Sequence, residues 1–267
     1  MDYVMQAKII KKRRVLILIA IFLTFPVVSH KFNLPEVYQD VIIQGRVVQQ
    51  GVRLCNDRYE AIRKVLHSLP RSFKSLDIGA SQGYFSFRMA QDFNARCTMM
   101  EDSYAISGHV WHTGDYLRYL CEKNFHLANL TLLQKKVFAS DLTNLKKLEE
   151  FDLVLAFSVI HHMKKSSSEP HEVYLGVIDA ILSLAPVVLI ENPINTGEHT
   201  RFIRKALQER GGQLIYSSSR GSLIYEIYLF DNRVLHFQES GAKNLKKITY
   251  RTFNGTYSTV QGINCEK

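Results

Sequence analysis

The fold of this chain is decided by the stretch Ser75-Leu76-Asp77-Ile78-Gly79-Ala80-Ser81-Gln82-Gly83-Tyr84-Phe85. A short apolar run ends in an acid, turns through two glycines and continues into a helical pattern. Further along, a second apolar run, Cys97–Met100, ends in Glu101. An acid in that place, after the second strand of a βαβ unit, suits the hydroxyls of a ribose. Together the two features predict a nucleotide-like ligand at the carboxyl edge of a parallel sheet.

The glycine spacing favours S-adenosylmethionine over a dinucleotide as that ligand. Glycine tolerates positive φ and lets the backbone approach a ligand closely. A dinucleotide site usually reads G-x-G-x-x-G, with a pyrophosphate at the helix N-terminus. Here Ser81 stands where the second glycine would be, and no further glycine follows Gly83 closely. The missing glycines make the loop less suited to binding a phosphate. They therefore favour S-adenosylmethionine, which has no phosphate. A tight strand–helix turn without a ligand is the alternative.

Charge and cysteine content narrow the functional classes. Six basic residues and one acid within residues 1–31 account for +5 of the net charge of +9, which leaves only +4 for the remainder. This distribution argues against a dedicated nucleic-acid surface. The four cysteines form no C-x-x-C pair, so we expect neither a zinc site nor a disulfide framework, and no metal is predicted.

Residues 1–31 are predicted to be a membrane anchor or a signal segment. The basic run Lys11–Arg14 precedes 14 apolar-rich residues, Val15–Val28, fewer than the roughly 20 residues of a full span. A signal peptide, a single-pass signal anchor and an interfacial helix all fit, and we expect membrane association. The basic flank predicts a domain outside the membrane, whereas a methyl donor made in the cytosol favours a domain inside. Both orientations stay open.

Residues 32–232 alternate between strand and helix patterns, which predicts an α/β fold with a doubly wound, mostly parallel sheet of seven strands. The fifth strand is expected at Pro186–Glu191 and the last helix at Phe202–Arg210. Two final strand patterns follow with no helix between them, which favours one antiparallel strand, as in methyltransferases. Residues 233–267 are predicted to form a small β appendage, with a hairpin that turns at Asn254-Gly255.

From about residue 34 to residue 232 the chain resembles class I S-adenosylmethionine-dependent methyltransferases, which have a Rossmann-like fold. The resemblance rests on Asp77-x-Gly79-x-x-x-Gly83, Glu101, Phe151-Asp152 and Ser158-Val-Ile-His-His162, all in the family's order. Within that family the chain is similar to the methyltransferase half of the kinase–methyltransferases that terminate bacterial O-antigen polysaccharides. The segments that carry this narrower similarity include Leu34–Gln39, Arg53–Arg58 and Asn232–Leu235.

The narrower resemblance implies methylation of a terminal phosphate on a surface glycan. The 267 residues leave no room for a kinase domain and begin with an apolar segment. A glycan hydroxyl therefore stays open as an acceptor beside the phosphate. A hydroxyl acceptor benefits from a base that removes its proton, whereas a phosphate oxygen does not need a base.

The expected site residues follow from the loop and from the resemblance. Glu101 should bind both ribose hydroxyls, and Glu191-Asn192-Pro193 either contacts the substrate or only turns the chain. Asp141 is a candidate for adenine contact, although a helix cap is favoured. The other expected cofactor contacts are Asp77, Gly79, Ala80, Ser81, Gly83, Phe157 and Ser158. After the fourth strand, His161 is the best candidate for a base and His162 the next, although such a pair can also serve capping or packing. The resemblance implies that Tyr38, Arg53 and Arg58 close over the cofactor or the substrate, and Tyr38 is a further catalytic candidate.

The sequence thus predicts a membrane-associated methyltransferase that uses S-adenosylmethionine and acts on a glycan, a lipid-linked saccharide or a similar polar acceptor. A methyltransferase for RNA or a small metabolite, a non-catalytic module of the same fold and a dinucleotide oxidoreductase are the rivals. Ser81 and the final strand pair argue against the oxidoreductase.

Overall fold

The computed structural model describes residues 37–53, 55–103, 112–163, 169–195 and 197–233, together with the backbone of three strands between residues 235 and 261. These residues belong to one compact unit, Glu36–Lys267. The predicted N-terminal segment, residues 1–31, lies outside them. Of the helices in the described ranges, none combines the length and the apolar character that crossing a membrane requires.

The central feature is a seven-stranded sheet with helices between its strands. The helices are α1 (Cys55–His67), α2 (Tyr84–Phe93), α3 (Thr113–Lys123), α4 (Ala139–Leu148), α5 (Val173–Leu182) and α6 (Glu198–Glu209). The strands are β1 (Val41–Ile43), β2 (Arg46–Gln49), β3 (Lys74–Ile78), β4 (Arg96–Glu101), β5 (Leu130–Gln134), β6 (Leu153–Phe157), β7 (Val187–Ile194), β8 (Gln213–Arg220), β9 (Leu223–Asp231), β10 (Leu235–Glu239), β11 (Lys246–Arg251) and β12 (Tyr257–Gln261).

The strand order confirms the predicted mostly parallel sheet. It runs β5-β4-β3-β6-β7-β9-β8, and the first five strands pair in parallel. Strand β9 is antiparallel to both β7 and β8, as the two adjacent final strand patterns predict. Every residue of β6 and β7 is buried, because helices cover both faces of a parallel sheet, which favours apolar strands. Glu191 and Asn192 are the buried polar residues of β7. The carboxyl ends of β3, β4, β6 and β7 therefore share one edge.

Two predicted boundaries were wrong, each for a local reason. Strand β7 continues past Glu191 to Ile194, with β9 paired alongside. Pro193 is tolerated there because the pairing with β6 has already ended at Glu191. Helix α6 begins at Glu198 rather than at Phe202, because its first turn is polar and shows no apolar periodicity.

A hairpin that the sequence did not predict, β1–β2, lies before the central sheet. Gln44 and Gly45 both have positive φ at its turn, and its strands are too short to show a periodicity. The Asn124 side chain fixes the hairpin: its amide donates to the Ile42 carbonyl at 2.8 Å, and its oxygen accepts from the Gln44 N–H at 2.9 Å.

Strands β10–β12 form a separate three-stranded antiparallel sheet. The predicted hairpin corresponds to β11 and β12, which pair with Thr249 opposite Thr259. Strand β10 pairs with β11 and was not predicted. The turn at Asn254-Gly255 lies outside the described residues.

We expect Gly79→Ala to destabilise the fold by at least about 2 kcal/mol more than Gly211→Ala. Both glycines have positive φ, but a Cβ at Gly79 would lie 2.6 Å from Val159 Cγ2, whereas a Cβ at Gly211 meets nothing within 4 Å. The matched control thus carries only the backbone strain of about 1–2 kcal/mol. Urea unfolding of both variants measures the difference, and equal losses would show that the loop does not depend on this close approach.

Candidate active site

The glycine loop after β3 is bound to the end of the neighbouring strand β4. The N–H groups of Gly79 and Ala80 both donate to the Met100 carbonyl, at 2.9 and 3.1 Å. Gly79, Ser81 and Gly83 all have positive φ, so the chain reverses tightly before α2. Val159 packs where a side chain at residue 79 would stand. The loop backbone is therefore held at the open edge of the sheet with no side chain on Gly79.

Glu101 contacts this loop and also lines the neighbouring cleft. It ends β4, is only 4% exposed, and accepts a hydrogen bond from the Ser81 N–H at 2.6 Å. Burial raises the pKa of its carboxyl to about 7, although the Ser81 N–H opposes this. One carboxylate oxygen thus orders the loop, while the side chain still lines the cleft.

The cleft has a volume of about 540 Å³ and opens along the carboxyl ends of β3, β4 and β6. It brings together most of the residues that the sequence predicts for the site. Those that line it are Tyr38, Arg53, Gly79, Ser81, Glu101, Phe157, Ser158, His161 and His162. Asp102, Lys135, Lys136 and Val137 line it as well.

Four predicted site residues, Asp77, Ala80, Gly83 and Arg58, do not line the cleft. Asp77 is 3% exposed and accepts a hydrogen bond from the Ser86 hydroxyl at 2.8 Å, so it joins β3 to α2 beneath the loop. Burial raises the pKa of its carboxyl to about 6. Ala80 is fully buried within the loop. A Cβ at Gly83 would lie 2.8 Å from the Leu117 side chain, so this glycine packs against α3.

Arg58 does not line the cleft and instead forms a buried ion pair. Its Nη1 lies 2.7 Å from Glu191 Oε2, and both side chains are almost completely buried. Burial alone would lower the pKa of Arg58, but the Glu191 carboxylate more than reverses this, so the guanidinium stays charged. Glu191 in turn accepts a hydrogen bond from the Ser158 hydroxyl. The ion pair thereby connects α1 to the ends of β6 and β7.

Arg53 occupies the cleft in a stacked position. Its guanidinium carbon lies 3.7 Å from the centre of the Tyr225 ring and 4.5 Å from that of Tyr38. Stacking on aromatic faces suits arginine. Its Nη1 is buried and has no hydrogen-bond partner in the described part of the chain. Such an atom favours an anionic ligand group beside it.

The two histidines of the predicted catalytic set lie together in the 3₁₀ turn Ile160–His162, with ring centres 4.0 Å apart. Burial lowers the pKa of His161 to about 3, with further lowering from His162, His199 and Arg53. His161 is therefore a neutral imidazole at physiological pH. Its ring centre is 6.3 Å from that of His199, a residue that the sequence did not predict because it sits in the unpredicted first turn of α6.

Asp141 serves the helix-capping role that the sequence favoured over adenine contact. Its carboxylate accepts a hydrogen bond from the Phe138 N–H at 3.0 Å and from Lys135 Nζ at 2.6 Å. The Lys135 hydrogen bond holds the pKa of this carboxyl below its usual value. Among the described residues, no three His, Cys, Asp or Glu side chains are grouped in a way that could hold a metal ion.

Comparison with known proteins gives structural likenesses and no sequence match. No family model and no curated protein matches the chain. The crystal structure of monomeric WbdD is similar, with a TM-score of 0.57 and 21% identity over 81% of this chain and 55% of that one. The crystal structure of the N-terminal domain of EvdMO1 with SAH bound has a TM-score of 0.49 and 12% sequence identity, and the match covers 74% of this chain and 92% of that one. The putative methyltransferase yhhF from Escherichia coli has a TM-score of 0.45 and 15% sequence identity, and the match covers 72% of this chain and 97% of that one.

The chain has the fold of a class I S-adenosylmethionine-dependent methyltransferase, and it resembles WbdD in structure. It spans about 55% of the length of the WbdD chain. The resemblance that the sequence suggested is thus confirmed at the level of the fold.

We expect Glu101→Gln to stabilise the protein at pH 8 by on the order of 3 kcal/mol, and to have little effect near pH 4.5. The folded-state pKa of about 7 lies above the ordinary glutamate pKa of 4.5. The native state therefore holds this proton more tightly, and wild-type stability from this group falls as the pH rises from about 4.5 to about 7. Glutamine keeps an acceptor for the Ser81 N–H and avoids the buried charge.

Thermal unfolding at a series of pH values measures this gain. The matched control is Glu150→Gln, at an exposed side chain, for which we expect no comparable rise with pH. A constant difference between Glu101→Gln and the wild type across the series would contradict the buried state of Glu101.

Proposed function

We propose that the protein is a methyltransferase that uses S-adenosylmethionine and methylates a polar acceptor, a glycan or a lipid-linked saccharide. The observation that carries the proposal is one cleft that is lined together by Glu101, the glycine loop, Arg53 and Ser158. A donor with a ribose, a charged amino-acid end and no phosphate matches these groups.

The residues present fit this donor. Glu101 would accept hydrogen bonds from the ribose hydroxyls, since its carboxylate lines the cleft and only one of its oxygens is occupied by Ser81. The unpartnered Nη1 of Arg53 would pair with the donor's carboxylate. Gly79 lines the cleft with its backbone, and Val159 packs beside it. When bound, the donor supplies a methyl group that its sulfonium already activates.

The protein then has three tasks, which are to orient the acceptor, exclude water and hold the donor. Tyr38 and Arg53 belong to the segment of residues 37–53, which contains the β1–β2 hairpin, and both line the cleft. This segment is fastened to the glycine loop, because the Gln39 N–H donates to the Gln82 side chain at 2.7 Å and the Tyr84 N–H donates to the Gln39 side chain at 3.1 Å. His161, neutral and half-buried, offers a hydrogen-bond acceptor to a bound hydroxyl.

The acceptor class is supported by the sequence resemblance to enzymes that terminate polysaccharide chains. The predicted apolar segment Val15–Val28 supports a place at a membrane, where lipid-linked saccharides are found. We therefore propose that residues 1–31 associate the protein with a membrane.

Transfer of labelled methyl from S-adenosylmethionine tests the function. The full chain in detergent is incubated separately with lipid-linked saccharide extracts, total RNA and a pool of small metabolites. We expect label in the saccharide fraction, and a loss of at least about 100-fold in kcat/KM for Glu101→Ala, because both ribose hydrogen bonds are lost. Label in RNA or metabolites alone would contradict the acceptor class. Donor binding without transfer to any fraction would identify a non-catalytic module.

We expect the affinity for S-adenosylhomocysteine to fall about tenfold for each pH unit below about 7, because protonated Glu101 can no longer accept from both ribose hydroxyls. Calorimetric titrations between pH 5.5 and pH 8.5 measure this. In Glu101→Gln the affinity should be weak and nearly independent of pH. Wild-type affinity that is constant over this range would place the ribose elsewhere.

A further inference from the structure

The Gln82 side chain connects the glycine loop to the segment that contains Arg53. Its oxygen accepts hydrogen bonds from the Gln39 N–H at 2.7 Å and from the Ser81 hydroxyl at 2.9 Å. The Ser81 N–H donates in turn to Glu101 Oε2 at 2.6 Å. Gln39 and Gln82 are only 3% and 5% exposed, so water competes little for these bonds. Gln39 is therefore linked through the loop to Glu101.

Gln39 also caps helix α2 from a distant part of the chain. The N-cap residue of this helix is Gly83, which makes no side-chain hydrogen bond, and the first N–H groups of a helix have no partners within it. The Gln39 side-chain oxygen accepts from the N–H of Tyr84, the first residue of α2, at 3.1 Å. We call the two bonds, Gln39 N–H to Gln82 and Tyr84 N–H to Gln39, the Gln39–Gln82 clasp.

Arg53 is held close to Gln39 by contacts across the base of the β1–β2 hairpin. The Arg53 N–H donates to the Tyr38 carbonyl at 3.1 Å, and the Gly51 N–H donates to the Asp40 carboxylate at 2.7 Å. A Cβ at Gly51 would lie 2.3 Å from the Gln39 carbonyl carbon, so the two backbones approach too closely for a side chain there. A displacement of Gln39 would therefore also move Arg53.

We propose that Gln39 and Gln82 are positioning residues that hold Arg53 at a fixed distance from Glu101, so that the two ends of the methyl donor bind as one coupled event. The inference rests on the proposed function and deepens it. Neither glutamine lines the cleft, so both act through the groups that they hold. Arg53 would bind the donor carboxylate, and Glu101 the ribose.

The physical reason is pre-organisation. When two contacts to one ligand are mounted on a fixed frame, the second contact forms with little further loss of conformational freedom. Without the clasp, the segment with Arg53 could move relative to the loop, and ordering it on binding would offset the gain from its charge. The contribution of Arg53 to donor affinity must therefore depend on the clasp, which a merely structural role of the glutamines would not require.

A double-mutant cycle in the full chain measures this dependence, with calorimetric titration of S-adenosylhomocysteine. Gln39→Met removes the oxygen that caps α2, and Gln82→Met removes the acceptor for the Gln39 N–H. Each is made alone and together with Arg53→Met, which keeps an unbranched side chain between the two tyrosine rings and removes the charge. The two clasp variants break different bonds, so either one that folds completes the cycle.

Two further backgrounds serve as controls. Asn124→Ala removes a buried amide that binds Ile42 and Gln44 at the turn of the same hairpin, away from the glycine loop. Gln39→Glu keeps an oxygen for the Tyr84 N–H and should restore the wild-type behaviour. Urea unfolding of every variant ensures that the titrations are made on folded protein.

We expect Arg53→Met to lower the affinity for S-adenosylhomocysteine about 30-fold in the wild type, in Gln39→Glu and in Asn124→Ala, because a charge-assisted contact is lost. In Gln39→Met and Gln82→Met the same substitution should lower it about threefold or less, because most of that contribution is already gone. The clasp variants alone should bind about tenfold more weakly than the wild type.

Three results would overturn the inference. An equal effect of Arg53→Met in the clasp variants and in the wild type would show that the two contacts are independent. A reduced effect in Asn124→Ala as well would assign the coupling to general loosening of the hairpin. No effect of Arg53→Met in the wild type would place the ligand carboxylate elsewhere. A wild-type protein that binds no S-adenosylhomocysteine would instead refute the proposed function itself.

Discussion

The buried ion pair between Arg58 and Glu191 is the interaction on which the arrangement of the cleft depends. It joins α1, which directly follows residues 37–53, to β7 of the seven-stranded sheet. Removal of one partner of such a pair leaves a buried charge, which costs about 3–5 kcal/mol. The pair also fixes the Ser158 hydroxyl, which lines the cleft. One wall of the cleft is thus positioned by an interaction inside the protein.

The cleft is lined by an acid and a histidine whose pKa values are both shifted by burial. Glu101 is nearly enclosed, so its carboxyl has a pKa of about 7 and changes charge within the physiological range. The Arg53 guanidinium also lines the cleft. After burial and the neighbouring His162 and His199, it contributes to keeping His161 neutral. A zwitterionic donor with a ribose has a partner for the carboxylate of Glu101 and for the guanidinium of Arg53.

Much of the fold and part of the site could be predicted from the sequence. The acid–glycine loop, Glu101 and the alternating strand–helix pattern each depend on local residue order, and the structure places them at one sheet edge. The partners of Arg58 and Asp77 could not be predicted, because they lie on elements far away in the chain: Glu191 is 133 residues from Arg58. Sequence position suggested that both residues touch the ligand, whereas their burial gives them supporting contacts. The β1–β2 hairpin and His199 were missed because short strands and a polar first helical turn carry no periodic signal.

The central claim is that this cleft binds a methyl donor rather than a dinucleotide. Calorimetric titration of the full chain with S-adenosylhomocysteine and, separately, with NAD tests it most directly. The account predicts binding of S-adenosylhomocysteine in the micromolar range and no binding of NAD. Binding of NAD alone, or of neither compound, would contradict it.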